Sequence, residues 1–426
     1  MLTPRFPYPP ERGDTLRSWG VLCALAARNE VWLAALDRRR PTAEHVAKVR
    51  ALCRDVAVFT RWEGSALLRG GLALLTGHSL TSGYHGDPRL LATIRRWQDT
   101  VGFDVLWTYS SALAPAAATL AGIAGLRRVL DLGDVDSAKW EAYAQRGLPP
   151  LRWLYHLEAR RVARLEAEAV AAADICLLVN RRECDKLRRR LPDAPTGVLP
   201  TAIDVQQFAA PPGAELAPPR RPIVGMVGSM FYPPNVRAVN WFGRWVWPLV
   251  RRELPDAQWW IVGNRPVRAV RRWARQPGVL VTGYVSDVRP YLAQMRVFVN
   301  AVEGDIGVQS KLVVALASGR AAVVTPDVAA GIDYDDPPPF LIARSAPAFA
   351  EAVIRLLRDE PLARSLSGRA RAAALARYGL AGQIELVERW LRFGQGDRPR
   401  QAASVPLPAQ DSSWPAPLAG CMAGRS

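Results

Sequence analysis

The chain has 426 residues, of which 49% are hydrophobic and 22% charged, with a formal net charge of +17. This is globular composition at a length that suits two domains and a tail, and it excludes a disordered or fibrous chain. No run of about 18 apolar residues is present to cross a bilayer, and prolines and charges stand where a secretory signal would be apolar, so none is expected.

In chain order, residues 4–10 are proline-rich and extended. Only Met1, Leu2 and Thr3 precede them, where a central strand of about five apolar residues is expected; either that strand is very short or the true start lies upstream. Gly13 permits a tight turn, and Asp14 or Thr15 can cap a helix running to about Arg28. Leu16, Trp19, Leu22 or Cys23, and Ala26 share one face of it. A strand over 31–36, a helix over 41–54 and a strand over 56–60 follow. Residues 61–90 read as less regular, with the pair Gly70-Gly71 and a polar loop from Gly77 to Asp87 that contains His78 and His85. A helix over 89–101 leads to strands over 103–108 and 128–132. The second strand runs into Gly133-Asp134-Val135-Asp136-Ser137-Ala138-Lys139-Trp140. A long helix over 151–173 presents Leu157, Val162, Leu165 and Ala169 as its apolar face. A strand over 174–180 and a basic helix over 181–191 close this half.

Prolines and glycine between 211 and 222 mark a linker. The alternation then restarts: a strand over 223–227 ending in Gly228-Ser229-Met230, a helix over 236–252 capped by Asn235, and strands over 257–263 and 279–282. A helix over 288–295 precedes the apolar strand Val297-Phe298-Val299-Asn300. A loop from Ala301 to Ile306 reaches Gly307, and a helix begins near Val308 or Gln309 and stops at Gly319, a residue suited to a left-handed cap. The next strand leads to Pro326, and helices over 346–358, 362–377 and 380–392 end the ordered part.

Alternating strand and helix is the pattern of parallel sheets covered on both faces. The fold class is therefore α/β, with two doubly wound domains at 1–200 and 223–393, a linker at 201–222 and a disordered tail at 394–426. The last helix is free to pack back on the first domain. Ligands of such sheets bind beyond the carboxyl ends of the strands. A helix that starts there aims free backbone N–H groups at the ligand, which suits a phosphate. Lys311 reads either as a cation for that phosphate or as a solvated helix residue. Asp134 and Asp136, at a strand end, read either as substrate contacts or as caps of the following helix.

Cys23, Cys53, Cys176, Cys184 and Cys421 lack metal or redox spacing and read as reduced thiols of a cytoplasmic protein. No histidine sits in a metal motif. The arginine-rich charge attracts anionic partners, but no helix-turn-helix, zinc finger or aromatic-rich basic ribbon points to nucleic acid. Acidic lipid and phosphorylated substrates suit the charge, as does a peripheral contact with anionic membrane, and the arginine content is also what a GC-rich genome produces.

Several segments resemble retaining family-four glycosyltransferases of the GT-B fold, and most closely the sugar transferases associated with exosortase (PEP-CTERM) polysaccharide systems. They are Arg5-Phe6-Pro7-Tyr8-Pro9-Pro10 with Gly13, Asp14 and Arg17; Asp134 to Trp140; Gly228-Ser229-Met230 with Pro234-Asn235; Val281 to Leu292; and Gly307-Val308-Gln309 with Lys311. The resemblance spans residues 3–392. It implies a nucleotide-sugar donor held in the second domain by Gly228, Ser229, Gly307, Val308, Gln309 and Lys311. It implies an acceptor, lipid-linked or glycan, met in the first domain by Gly13, Asp14, Arg17 and Trp140, with Asp134 and Asp136 at the reacting centre. Trp140 would stack on a sugar. No metal or cofactor is expected, since helix N-termini and basic groups take that role. The implied setting is cell-surface polysaccharide synthesis at the inner face of the cytoplasmic membrane.

The chain departs from the family at Val314, where relatives carry a glutamate that binds the donor ribose, and at Ile306, also apolar. Relatives carry Asp where Phe231 stands, and Asn-Gly-Val-Asp where this chain has Thr201-Ala202-Ile203-Asp204. Glu303 or Asp305 could substitute for the lost carboxylate. The alternative expectation is a degenerate homologue that acts as a binding or scaffold subunit.

Overall fold

The computed structural model describes residues 1–392 apart from 11, 121, 147, 205–207, 209–220 and 305–309. The expected tail, most of the expected linker, and Gly307, Val308 and Gln309 lie outside the described residues. The chain divides into two compact units, one made of residues 1–202 with the helix 380–392, the other of 203–379.

The first unit holds strands β1 (Leu2–Thr3), β2 (Trp32–Asp37), β3 (Asp55–Thr60), β4 (Val105–Tyr109), β5 (Arg127–Gly133), β6 (Ile175–Leu178) and β7 (Thr196–Val198). Its helices are α1 (Gly13–Ala26), α2 (Ala43–Arg50), α3 (Glu63–Leu75), α4 (Leu80–His85), α5 (Pro88–Val101), α6 (Ala114–Ala118), α7 (Asp136–Arg146), α8 (Leu151–Ala171) and α9 (Arg181–Arg190). The sheet order is β3-β2-β1-β4-β5-β6-β7, parallel throughout. Its strands are near-continuous apolar runs because helices cover both faces. β1 is central yet two residues long: Leu2 lies between Ala34 and Thr108, and Pro4, without an N–H, follows at once.

The second unit holds β8 (Ile223–Val227), α10 (Pro233–Trp241), α11 (Trp247–Glu253), β9 (Gln258–Val262), α12 (Arg268–Arg271), β10 (Val279–Gly283), α13 (Arg289–Gln294), β11 (Val297–Asn300), α14 (Ser310–Ala317), β12 (Ala321–Val324), α15 (Pro326–Ala329), β13 (Leu341–Ile342), α16 (Ala346–Arg358) and α17 (Glu360–Tyr378). The order β10-β9-β8-β11-β12-β13 repeats that of the first unit. The final helix, α18 (Leu380–Arg392), packs on α1. Trp390 donates its indole N–H to the Val198 carbonyl at 3.1 Å. This second covering layer explains why α1 is buried on more than one face, from Trp19 through Leu25.

Three expectations need correction. Residues 61–90 are not irregular but form α3 and α4. Of the pair that suggested a break, Gly70 lies at the contact between these helices, where a Cβ would lie 3.3 Å from the Leu80 carbonyl; across it, a Cβ at Gly83 would lie 2.7 Å from the Arg69 carbonyl. Glu158 holds α4 by accepting hydrogen bonds from the Leu80 and Thr81 amides, both at 2.8 Å, where a carboxylate suits a helix N-terminus. On α8, Leu157 is 40% exposed, while Val162, Leu165 and Ala169 are buried as expected. Glu158 and Glu166 take the inward positions instead. Asn235 does not cap the helix of the second unit. Pro233 and Pro234 occupy its first turn, where no N–H is needed, and Asn235 faces inward within the helix.

Candidate functional site

In both units the strand order reverses beside the first strand, so the crevice forms at the carboxyl ends of β1 and β4 in one and of β8 and β11 in the other. The two ends are built differently.

In the first unit the strand ends are rich in charge. Arg17, on α1, is 2% exposed and reaches Asp131 of β5 at 2.6 and 2.8 Å. Its remaining nitrogen donates to the Leu199 carbonyl at 2.7 Å. The guanidinium is thus enclosed beneath the strand ends. Gly13 starts α1 with open space above its Cα, and Asp14 pairs with Arg5 at 2.9 Å. Arg61, at the end of β3, lies 4.9 Å from the Tyr84 ring. Burial, then the charge of Arg61, lowers the His85 pKa to about 4, so its imidazole is neutral at physiological pH.

At the end of β5, Asp136 accepts from the Ser111 hydroxyl at 3.0 Å and from Lys139 at 3.2 Å. Lys139 also lies 3.9 Å from Asp134. The amides of Val135 and Ser137 donate to Glu183 and Glu166, each at 3.0 Å. The start of α7 is therefore satisfied from other elements, which leaves Asp134 and Asp136 for other contacts. Oδ1 of Asp134 is buried without a hydrogen-bond partner among the described residues. Burial raises the pKa of this carboxyl, opposed by Lys139 and reinforced by Glu183 and Asp136. Ser110, just past β4, has φ +75°. A serine held there stores local strain beside the crevice. Trp140 packs with Tyr143 and Tyr155, ring centroids 5.9 and 5.8 Å away, as an aromatic cluster beyond the aspartates.

In the second unit the strand ends hold polar atoms without partners. Lys311, on α14, donates to Asn235 Oδ1, and Asn235 donates to the Ser229 carbonyl at 3.1 Å. Among the described residues no carboxylate pairs with Lys311. Burial lowers its pKa to about 7. Asn300, which ends β11, is 1% exposed, and both of its amide atoms lack partners among the described residues. Lys311, Asn235, Asn300, Met226, Met230 and Val302 line one small pocket. Gly228 lies in the loop that closes over it. This loop meets the one after β9 so closely that a Cβ at Gly263 would lie 1.7 Å from the Gly228 carbonyl oxygen. Val314 is one turn past Lys311 and half-buried, and Glu303 is exposed.

The structure thus brings together Gly228, Ser229 and Lys311 in one place, and Gly13, Asp14, Asp134 and Asp136 at the strand ends of the other unit. Arg17 lies beneath that surface. Sequence reasoning passed over Asn300, Asp131, Arg61 and Ser111. Two of these carried a signal: Asn300 is the polar end of an otherwise apolar strand, and Asp131 is a charge inside one.

Residues 221–359 match the family model described as Glycosyl transferases group 1. No curated protein matches the chain. Among solved structures, Anabaena HepE in complex with UDP aligns over 92% of this chain and 98% of its own, at 12% identity and a TM-score of 0.63. Sucrose-phosphate synthase from Thermosynechococcus elongatus aligns over 92% and 97%, at 15% identity and 0.62. A glycosyltransferase from Rickettsia africae aligns over 92% and 98%, at 10% identity and 0.59. The fold is GT-B. Four of the five cysteines are described, and none of them pairs in a disulfide with another described cysteine. Among the described residues no group of three or more His, Cys, Asp or Glu side chains could hold a metal ion, and no helix is long and apolar enough to cross a membrane.

Proposed function

We propose that the protein is a glycosyltransferase that moves a sugar from a nucleotide-sugar donor to an acceptor. The observation that carries this reading is the pairing of Lys311 with a neutral amide, beside an Asn300 amide without a partner among the described residues, around a pocket of about 10 Å³ that would have to open to admit a phosphate. Unsatisfied buried polar groups are rare in native proteins, and each is costly unless a ligand completes it. A diphosphate supplies acceptor oxygens and the missing negative charge. The pocket lies in the segment that matches the glycosyltransferase model, and the similar HepE structure is a complex with UDP.

In this reading Gly228, Ser229 and Lys311 hold the donor diphosphate, together with Gly307, Val308 and Gln309. The charge of Lys311 stabilises the leaving group as the glycosidic bond breaks. The acceptor meets Gly13, Asp14 and Trp140, with Arg17 fixing the strand ends beneath them. Asp134, with one carboxylate oxygen unspent, orients the acceptor hydroxyl. The departing diphosphate takes up the hydroxyl proton, so configuration at the sugar is retained. Positioning and charge stabilisation then supply the catalysis. No metal or cofactor enters. The acceptor is a lipid-linked or polysaccharide glycan, handled at the inner face of the cytoplasmic membrane during cell-surface polysaccharide synthesis, as in the exosortase-associated transferases that the sequence resembles.

Val314 favours a second reading. A valine offers the ribose no hydrogen bond, so the chain is alternatively a homologue that binds donor weakly and serves as a scaffold or binding subunit. Calorimetric titration with UDP, GDP and ADP, together with release of sugar from UDP-glucose and GDP-mannose, separates the two. Binding with turnover supports the transferase. Weak binding without turnover supports the scaffold, and no binding of any nucleotide refutes both.

A further inference from the structure

A second cavity lies wholly inside the first unit. Its volume is about 530 Å³, within the range that holds small-molecule ligands. The cause is in the sequence. α6 and the last turns of α8 face each other across β4 and β5 with alanines, among them Ala114, Ala117, Ala169 and Ala172. Side chains this small leave a slot between two clusters of the core, one centred on Leu165 and Leu178, the other on Leu106 and Leu120. Native interiors are close-packed, so a slot of this size stands out.

Leu130, Leu165 and the alanines line the slot together with Ser79, Ser82 and Thr108, and Arg128, Arg161 and Arg164 with Glu168 give it a basic rim; Arg128 also lies 3.7 Å from Asp174. Arg161 donates to the Leu74 and His78 carbonyls, at 2.6 and 2.9 Å, and so fixes the end of α3 to this rim. From the rim outwards α3 is uncovered: Leu67, Leu68, Leu72 and Leu75 are 56–86% exposed, and Trp62, just before the helix, is 78% exposed. An apolar slot, a basic rim and an exposed leucine face meet at one place.

We propose that this slot takes the acyl chain of an anionic membrane lipid, with α3 resting on the bilayer and the rim arginines holding the headgroup. A chain alone would need only the alanines, and a soluble anion only the arginines. The exposed leucines account for delivery from a membrane, where apolar side chains enter the acyl boundary and basic ones meet anionic headgroups. The proposal uses the first unit alone and requires neither donor nor acceptor binding, so it stands or falls apart from the transferase reading.

The test uses the full chain with two probes: cis-parinarate, a fluorescent chain with a carboxylate, and vesicles of phosphatidylglycerol or phosphatidylcholine. The wild-type protein is expected to bind parinarate, and to co-sediment with phosphatidylglycerol vesicles but not with phosphatidylcholine. Ala172→Phe, and Ala117→Phe from the opposite wall, fill the slot and should each reduce parinarate affinity at least tenfold without lowering the melting temperature. Leu68→Asp with Leu72→Asp should abolish vesicle binding and leave parinarate binding intact. The proposal is overturned if the wild-type protein binds no parinarate, if it ignores phosphatidylglycerol or binds both vesicles alike, or if folded filled variants bind parinarate as the wild type does.

Discussion

The carboxyl ends of the two sheets have the same strand order and opposite electrostatics. In the first unit most of the strand-end charges have found another, Arg5 with Asp14, Arg17 with Asp131, and Lys139 with Asp134 and Asp136, while Arg61 meets the Pro4 and Tyr84 carbonyls and the Tyr84 ring. In the second, among the described residues, Lys311 has only a neutral amide and Asn300 has no partner. A surface whose charges are already paired can position a neutral, hydroxyl-rich molecule without demanding a counter-charge. A buried cation with no counter-charge is a site for an anion. In the function proposed above, that difference is the reason for seeking the diphosphate in the second unit and the acceptor in the first, although the topology is the same.

Breaking the paired end should have the largest effect. Arg17→Met leaves Asp131 buried and alone, a loss of about 3–5 kcal/mol of stability for a broken buried pair. Urea unfolding should show it, and Arg17→Met with Asp131→Leu should recover most of the loss. If the single substitution were nearly neutral, the pairing would not hold the strand ends together.

Breaking the unpaired end should change binding and not stability. Lys311→Met should weaken UDP binding by about 10–100-fold, the worth of a charged hydrogen bond of about 1.5–3 kcal/mol. The folded-state pKa of Lys311 is depressed to about 7, so its contribution to stability is lost as pH falls from the usual lysine value towards 7. The variant escapes that loss, and its melting temperature at neutral pH should hold or rise. A large fall in melting temperature with unchanged affinity would make Lys311 structural.

Restoring a carboxylate sharpens the contrast further. Val314 lies one turn beyond Lys311, and residues so spaced share a helix face. Val314→Glu should increase UDP affinity by about 5–100-fold, corresponding to about 1–3 kcal/mol, and should introduce a preference for ribose over deoxyribose. Tight, ribose-selective binding by the unmodified protein would show that another group already fills this role.

The smallest effect follows pH. Bound phosphate raises the pKa of Lys311, so affinity should be highest below about pH 7 and should fall as pH rises through 7 towards 9. A flat profile in Lys311→Met would assign the slope to that residue.

The elements were legible in the sequence where they were long and periodic. Strand and helix alternation gave both sheets, because fully buried parallel strands must be apolar runs. Glycine misled at Gly70, since a helix–helix contact and a chain break call for the same residue; Gly71 faces open space. Asn235 misled in the opposite way: its type suits a cap, but two prolines already satisfy that turn, so its side chain turned to Lys311. The donor pocket was half legible. Gly228 and Lys311 stand in recognisable stretches, whereas Asn300 matters only because β8 and β12 bury it on either side of β11. The pairing of Arg17 with Asp131, 114 residues apart, could not be read at all, because nothing local at either residue names its partner.

The central claim is that Lys311, whose pKa burial lowers to about 7, gains charge when an anionic ligand binds. Calorimetry of UDP binding at pH 8, repeated in buffers of different ionisation heat, tests it directly, because UDP is fully ionised there and takes up no proton itself. The account predicts uptake of protons when UDP binds the natural protein, and none by Lys311→Met. Binding without proton uptake would mean that Lys311 is already charged or does not meet the phosphate, and would contradict the account.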